Sequence, residues 1–373
     1  MNILFVGSFL PEEYGTKIEY LSLAGNRYQN TFLEELKLQY NYVKELSFIG
    51  FPIEEQYVEE VQSIPFVIYH PNKAIAVRQF RTRLRQACRW ADIVICYNVV
   101  YPWFGLQKFA KKNDFKTVLI LADYSDQTSF TKKLQKIKSN LELRELRKYD
   151  LLVGLSENTK RFCGHNQKFI CIEGGVKWKD YENIASPAYV ENQPITIMYS
   201  GLLSNVTGVD LLLQVIGRFE KSGKYVGKIR WMISGKGPMI DEVTEFAKKH
   251  KDVEYVGSVP YEQYIEYLTR AHIYINPRNM HLPENQNNFP SKMIEYLAMG
   301  RVIVSTKFAG WEKFQQNAYY CETDVDDIVQ KIECALEEYL NVYEQQFDMN
   351  RKKARTFSWN INIERIFHEL QLG

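Results

Sequence analysis

The sequence predicts an α/β protein made of two Rossmann-like domains in tandem, each a parallel sheet with helices on both faces. Three observations carry that prediction. Short apolar segments alternate with longer amphipathic ones, as expected for parallel strands buried on both faces and joined by crossover helices. The alternation breaks once, at a polar stretch holding Pro187 and Pro194, and then restarts. The chain has 373 residues, enough for two cores of ordinary size.

In chain order, Ile3 to Val6 reads as a first buried strand, followed by a helix around Asn26 to Leu38. Further strands are expected at Tyr42 to Phe48, Ile93 to Tyr97, Thr117 to Leu121, Leu151 to Gly154 and Phe169 to Ile172. Residues 186–194 lack periodicity and read as a linker, which bounds a first domain at 1–185. The pattern resumes with a strand from Ile195 to Ser200, a glycine turn and a helix from Val209 to Phe219. Ile229 to Ser234, Val253 to Val256, Ile273 to Asn276 and Val302 to Ser305 read as strands, and Met239 to Lys249, Tyr261 to Arg270 and Ser291 to Met299 as helices. The second domain then spans 195–355. A terminal helix, 356–373 with Trp359, Ile363, Ile366 and Phe367, is expected to pack back on the first domain. Open parallel sheets bind ligands beyond the carboxyl ends of their strands, so the expected site is a cleft where the two domains face each other.

Composition narrows the class. With 45% hydrophobic and 25% charged residues and a formal charge of +2, the chain is a folded protein and not a dedicated nucleic-acid binder. Six dispersed cysteines without a Cys-x-x-Cys or a histidine cluster indicate neither zinc nor a disulfide framework. No secretory signal and no apolar run of about 18 residues is visible, so a cytoplasmic protein is expected. The charge is unevenly spread. Residues 1–185 hold 26 basic and 21 acidic residues, the remainder is net negative, and Arg78 to Lys148 alone holds 16 basic against 6 acidic. The cluster Arg78, Arg81, Arg83, Arg85 and Arg89, interleaved with Phe80, Leu84 and Trp90, is either a solvated basic face or a contact for an anionic membrane surface.

Chemistry concentrates between Ile273 and Ser305. A strand ends at Asn276, Arg278 follows, and Phe289, Pro290 and Ser291 lead into a helix whose first turn offers amides to an anion. Lys292 places a cation there, and one turn on Glu295 is positioned to accept from a ribose diol. Arg278 is either a second phosphate cation or a structural partner of Glu284.

With its order and spacing, this segment resembles the nucleotide-sugar clamp of retaining glycosyltransferases of family 4, which have the GT-B fold. The resemblance extends through Met198 to Leu213, Trp231 to Pro238, Val253 to Pro260, Ile172 to Val176 and Phe357 to Trp359. It implies a retaining hexosyltransferase that moves a sugar from a nucleotide diphosphate donor, UDP-sugar by expectation, to a glycan or lipid-linked acceptor in surface polysaccharide or glycoconjugate assembly. It further implies a donor site made by Gly15, Gly201, Lys236, Gly237, Val259, Arg278, Phe289, Pro290, Ser291, Lys292 and Glu295. Asp123, at the end of a first-domain strand, and Asn287 fall where the family places residues facing the transferred sugar, and no metal cofactor is expected. Two departures stand out. Asn287 replaces the first of two glutamates separated by seven residues, and Leu202 and Thr207 replace an arginine and a lysine that meet the pyrophosphate. They keep open a non-catalytic GT-B partner of another transferase, and the architecture is also that of nucleotide-sugar epimerases.

Overall fold

A computed structural model describes residues 1–122, 132–187, 193–286 and 288–371. The chain divides into two compact units, one of Met1–Lys177 with Ser358–Gly373, the other of Trp178–Phe357.

The first unit holds β1 (Ile3–Gly7), α1 (Leu23–Gln39), β2 (Val43–Phe48), α2 (Glu55–Ser63), β3 (Val67–Ile68), α3 (Lys73–Cys88), β4 (Ile93–Tyr97), α4 (Leu106–Asn113), β5 (Lys116–Leu121), α5 (Lys133–Leu146), β6 (Leu151–Gly154) and β7 (Lys168–Cys171). The seven strands are parallel in the order β3-β2-β1-β4-β5-β6-β7. Every residue of β1, β4 and β6 is buried, because helices cover both faces of such a sheet and leave no solvent side. Ser22 starts α1 by accepting from the Gly25 amide (3.2 Å), and Asn72 starts α3 by accepting from Ala74 (3.0 Å). Each such cap stabilises its helix by about 1 kcal/mol.

The second unit holds β8 (Ile195–Ser200), α6 (Val209–Ser222), β9 (Ile229–Ser234), α7 (Ile240–Lys249), β10 (Val253–Gly257), α8 (Tyr261–Arg270), β11 (Ile273–Asn276), α9 (Lys292–Met299), β12 (Val302–Thr306), β13 (Tyr319–Cys321) and α10 (Val325–Arg355). Its six parallel strands run β10-β9-β8-β11-β12-β13, so the order reverses between β8 and β11. That reversal is the switch point at which open α/β sheets leave a crevice. Arg301 fixes the helices beside it. Its guanidinium is almost wholly buried and donates to the carbonyls of Thr269 (3.1 Å), Ala271 (3.0 Å) and Met299 (2.9 Å), at the ends of α8 and α9. Terminal carbonyls that have no helical partner are satisfied by one side chain, which holds α8 and α9 in register.

The last helix, α11 (Trp359–Gln371), belongs to the first unit. Trp359 Nε1 donates to Thr31 Oγ1 (2.9 Å), its ring meets Tyr28 and Phe32, and Asn362 donates to the Gly174 carbonyl (3.0 Å).

Two boundaries differ from the sequence reading. The first unit stops at Lys177 and not at 185, since the Glu182 and Ala185 carbonyls accept from Arg351 (3.0 Å) and Arg301 (3.0 Å) of the second unit. Of the expected linker at 186–194, residues 188–192 lie outside the described residues. Phe357 stacks on Phe314 and closes the second unit, so the terminal segment begins at Ser358. Among the described residues, no helix is long and apolar enough to cross a membrane.

Candidate functional site

The loops after β8 and β9 interlock through their backbones. The Gly201 amide donates to the Ser234 carbonyl (3.0 Å), Leu203 to the Lys236 carbonyl (2.9 Å), and Met239 back to the Leu203 carbonyl (3.0 Å). Gly235 sits at φ +143°, and a Cβ there would lie 1.8 Å from the Gly201 oxygen. Gly237 makes the same close approach to Leu203. The glycines are required by this contact, which leaves Gly201, Lys236 and Gly237 on one backbone clasp at the carboxyl edge of the sheet. Val259 is half-buried on the turn between β10 and α8. Beside it the Ser258 hydroxyl is buried with no hydrogen-bond partner among the described residues, a rare condition for a buried donor.

Lys292, Glu295 and Tyr264 form one cluster at the start of α9. Lys292 Nζ donates to Glu295 Oε2 (2.8 Å) and to the Tyr264 hydroxyl (3.0 Å), and Tyr264 donates to the same Glu295 oxygen (2.9 Å). Ser200 Oγ, at the end of β8, lies 2.9 Å from the Tyr264 hydroxyl and 3.2 Å from that of Tyr296. The Ser200 amide donates to Tyr296 (3.1 Å), whose ring stacks on Tyr274. Burial, followed by the charge of Glu295, holds the Tyr264 phenol well above its usual range, and burial pushes Tyr296 up to about 12. Both therefore remain protonated donors at neutral pH. Lys292 and Glu295 keep 26% and 14% of their side-chain surface, so the pair is sheltered yet reachable.

The lead-in to α9 is anchored by packing. The Phe289 ring lies against Phe308 and Phe314, and Pro290 is buried. The Met293 and Ile294 amides bond back to the Pro290 (2.8 Å) and Ser291 (3.3 Å) carbonyls, which leaves Ser291 and Lys292 as the amides at the tip of the helix.

Arg278 stands two residues beyond β11. Its Nε donates to Asn285 Oδ1, and the buried Asn285 amide donates to the carbonyls of Val206 (2.7 Å) and Asn279 (2.6 Å). Gly208, at φ +79°, brings the β8–α6 loop so close that a Cβ would lie 1.8 Å from the Pro277 oxygen. Arg278 is thus oriented by Asn285, the neighbour of the Glu284 considered from sequence, and the two loops are tied together. On these loops Leu202 is 54% exposed, and the Thr207 hydroxyl lies 3.1 Å from Ser204 Oγ within its own loop. Neither position supplies a cation.

In the first unit, Gly15 follows the 3-10 turn Glu12–Tyr14 at φ −54°, a conformation open to any residue, and donates to the Glu12 carbonyl (2.9 Å). Asp123 and Asn287 lie outside the described residues. The Arg78 to Arg89 cluster maps to α3, but Phe80 and Leu84 face the core, where Phe80 meets Phe48 and Trp103. Trp90 lies under Lys44, 4.2 Å from its ring centre. The interleaved aromatics are committed inward, so among the large apolar side chains of α3 only Ile75 (41% exposed) stands out beside the cations. Tyr264, Ser200, Ser258 and Asn285 were not singled out from sequence. They reach the site through tertiary placement, and a lone Tyr or Ser in an amphipathic segment gives no local signal.

The family model for glycosyl transferases group 1 matches residues 194–338, which include every group in the Lys292 cluster and both glycine loops. The phosphatidylinositol N-acetylglucosaminyltransferase gpi3 subunit of Schizosaccharomyces pombe is 25% identical over 178 residues, 46% of this chain. The match spans only 37% of that relative's length. HepE from Anabaena, solved with UDP, superposes with a TM-score of 0.68 over 99% of this chain and 100% of its own, at 12% identity. The N-terminal domain of trehalose-6-phosphate phosphatase from Candida albicans gives 0.73 over 100% and 97% at 11% identity. Sucrose-phosphate synthase from Thermosynechococcus elongatus gives 0.69 over 99% of each chain at 14% identity. At such identities the structural likeness is one of fold. The chain therefore has the two-unit α/β fold of these structures, GT-B, and its second unit carries the match to glycosyl transferases group 1.

Proposed function

We propose that the protein is a retaining hexosyltransferase that moves a sugar from a UDP-sugar to a glycan or lipid-linked acceptor, in surface polysaccharide or glycoconjugate assembly. The observation that carries this reading is the Lys292–Tyr264–Glu295 cluster at the start of α9, beside the switch point of the second sheet. Lys292, Arg278 and the tip of α9 meet the diphosphate, where fixed donors stabilise charge as the leaving group departs. Glu295 accepts from the ribose diol, the clasp of Gly201, Lys236 and Gly237 lets backbone approach the phosphates, and Val259 with Ser258 contacts the base. The bond from the anomeric carbon to the diphosphate breaks, the acceptor oxygen bonds on the same face, and its proton passes to a leaving phosphate oxygen. By the same resemblance, Asp123 and Asn287 are assigned to the transferred sugar and Gly15 to the phosphates, and the diphosphate is neutralised by protein cations with no metal cofactor.

UDP in the HepE complex, and the N-acetylglucosaminyl transfer and phosphatidylinositol in the name of the S. pombe relative, are consistent with this donor and a lipid-linked acceptor. The test is calorimetric titration of UDP followed by NMR of the product formed from a screened UDP-sugar. Micromolar binding and retained anomeric configuration are expected, and clean inversion removes the retaining assignment. Exposed Leu202 and self-bonded Thr207, standing where the family carries cations, favour one second reading, a non-catalytic partner of another transferase. Donor turnover by the purified chain alone excludes it.

A further inference from the structure

Helix α5 carries an apolar ridge on its solvent side. Leu134 is 81% exposed, and Ile137 and Leu141 are 47% exposed each. At about 100° per residue, positions 134, 137 and 141 fall within an arc of about 60°. The opposite face holds Ser139, Leu143 and Leu146, which pack the helix onto the first unit's core. The helix is thus apolar on both sides, and only one side has a protein partner among the described residues.

The ridge is bordered by cations. Lys133 and Arg144 flank one side and Lys138 the other, with Lys132 and Lys136 at the same end. The two acidic residues of the helix are both paired with lysines, Glu142 with Lys138 (3.6 Å) and Glu145 with Lys148. We infer that this face of α5 docks on an anionic bilayer surface, with Leu134, Ile137 and Leu141 at the boundary of headgroups and acyl chains and the lysines among the phosphates. Charge complementarity selects that occupant. A second copy would bring two basic faces together across a twofold axis, whereas an anionic surface meets both the cations and the ridge. The structure thereby moves the membrane contact considered from sequence off α3, where Phe80 and Leu84 are buried and Arg83 donates to the Pro65 carbonyl (2.7 Å).

This inference does not depend on the donor chemistry, and its test needs no turnover. The full chain is sedimented at low salt with vesicles of phosphatidylcholine alone and of phosphatidylcholine with equimolar phosphatidylglycerol. The wild type is expected to partition onto the mixed vesicles and not onto phosphatidylcholine. The triple variant Leu134→Ser, Ile137→Ser, Leu141→Ser should lower that partitioning by about tenfold or more. The triple variant Lys133→Glu, Lys136→Glu, Lys138→Glu should abolish the preference for phosphatidylglycerol. The altered side chains are exposed, so unchanged thermal melting by circular dichroism shows that both variants fold. A tryptophan at position 134, made as Leu134→Trp, should be quenched by brominated acyl chains. A wild type that stays in the supernatant, or one that partitions no better than the serine variant, overturns the inference. So does a wild-type dimer in sedimentation velocity that the serine variant dissolves without any vesicle binding, which assigns the ridge to a second copy.

Discussion

Both units place a switch point next to their first strand, between β1 and β4 in one and between β8 and β11 in the other, and they occupy it with opposite chemistry. Beyond β1, the buried carboxamides serve the backbone, and the charged pair Arg27–Glu12 (3.5 Å) lies at the loop surface. Gln29 accepts from the Ser8 amide (3.0 Å) and donates to the carbonyls of Ser8 (3.1 Å) and Gly25 (3.0 Å). Asn26 accepts from the Leu10 amide (2.8 Å), and Asn30 donates to the Leu10 carbonyl (2.8 Å). Beyond β8 the polar side chains bond one another, and two of them are charged. Carboxamides that close a loop on itself leave little to offer a ligand, whereas a sheltered Lys–Glu–Tyr set can exchange one partner for another. The contrast separates a switch point whose buried side chains serve stability from one whose side chains are available for binding.

Lys292→Ala is the strongest test of that separation. Removing a charge-assisted contact to a diphosphate should weaken UDP by about 2 to 3 kcal/mol, roughly 30- to 150-fold. The fold should lose only about 1 kcal/mol or less, because the pair with Glu295 keeps solvent access. Arg278→Ala should act in the same direction, measured by calorimetry. If neither variant changed UDP affinity while melting temperature fell, the β8 side would be structural like the β1 side and the contrast would collapse.

Gln29→Ala probes the other half. It deletes three hydrogen bonds around a nearly buried residue and strands the Ser8 groups, so unfolding in urea should show a loss of about 2 kcal/mol with UDP affinity unchanged. A loss of UDP binding without a loss of stability would transfer the β1 loop from scaffold to site.

Titration sharpens the comparison further, because carboxamides do not titrate and phenols do. Tyr296 has a folded pKa of about 12, above the unfolded value of about 10. Its contribution is therefore complete below pH 10 and is lost as pH rises toward 12, since the unfolded chain releases the proton first. Tyr296→Phe should make the fall in stability between pH 10 and 12 shallower by about 1.4 kcal/mol per pH unit. An unchanged slope in urea unfolding at a series of alkaline pH values would mean that this phenol is not held as the geometry indicates.

How much of this was legible beforehand follows the range of the interactions. Ile93–Tyr97, Leu151–Gly154, Ile229–Ser234 and Ile273–Asn276 match their sequence assignments because parallel strands buried on both faces are contiguous apolar runs. Val67–Ile68 and Tyr319–Cys321 escaped because two or three residues show no period, and they are strands only through pairing with β2 and β12. The 31-residue α10 escaped as well. Its core stripe of Ile328, Ile332, Ala335 and Tyr339 is set among many charges, and it ends at Arg355, just before the terminal segment expected at 356–373. In the site, Lys292 and Glu295 were visible as neighbours one turn apart on a helix. Tyr264 and Ser200 come from α8 and β8, and their convergence depends on how Arg301 ties α8 to α9. Nothing local in either segment encodes that.

The smallest expected effect addresses the departure from the family pattern. Leu202 is exposed on the clasp that faces the switch point, so Leu202→Arg should leave stability within about 0.5 kcal/mol of wild type. If Lys292 and Arg278 already neutralise the diphosphate, a third cation meets charge that is largely compensated, and UDP affinity should rise only a few-fold, less than about 1 kcal/mol. Donor turnover should then change little, because stabilising the bound donor and the departing diphosphate alike does not lower the barrier between them. A gain of a hundredfold in affinity, or turnover appearing only in the variant, would show that the cations present do not suffice. The binding side of the comparison would then be a nucleotide-sugar site that has lost its charge, and the partner reading would replace the transferase.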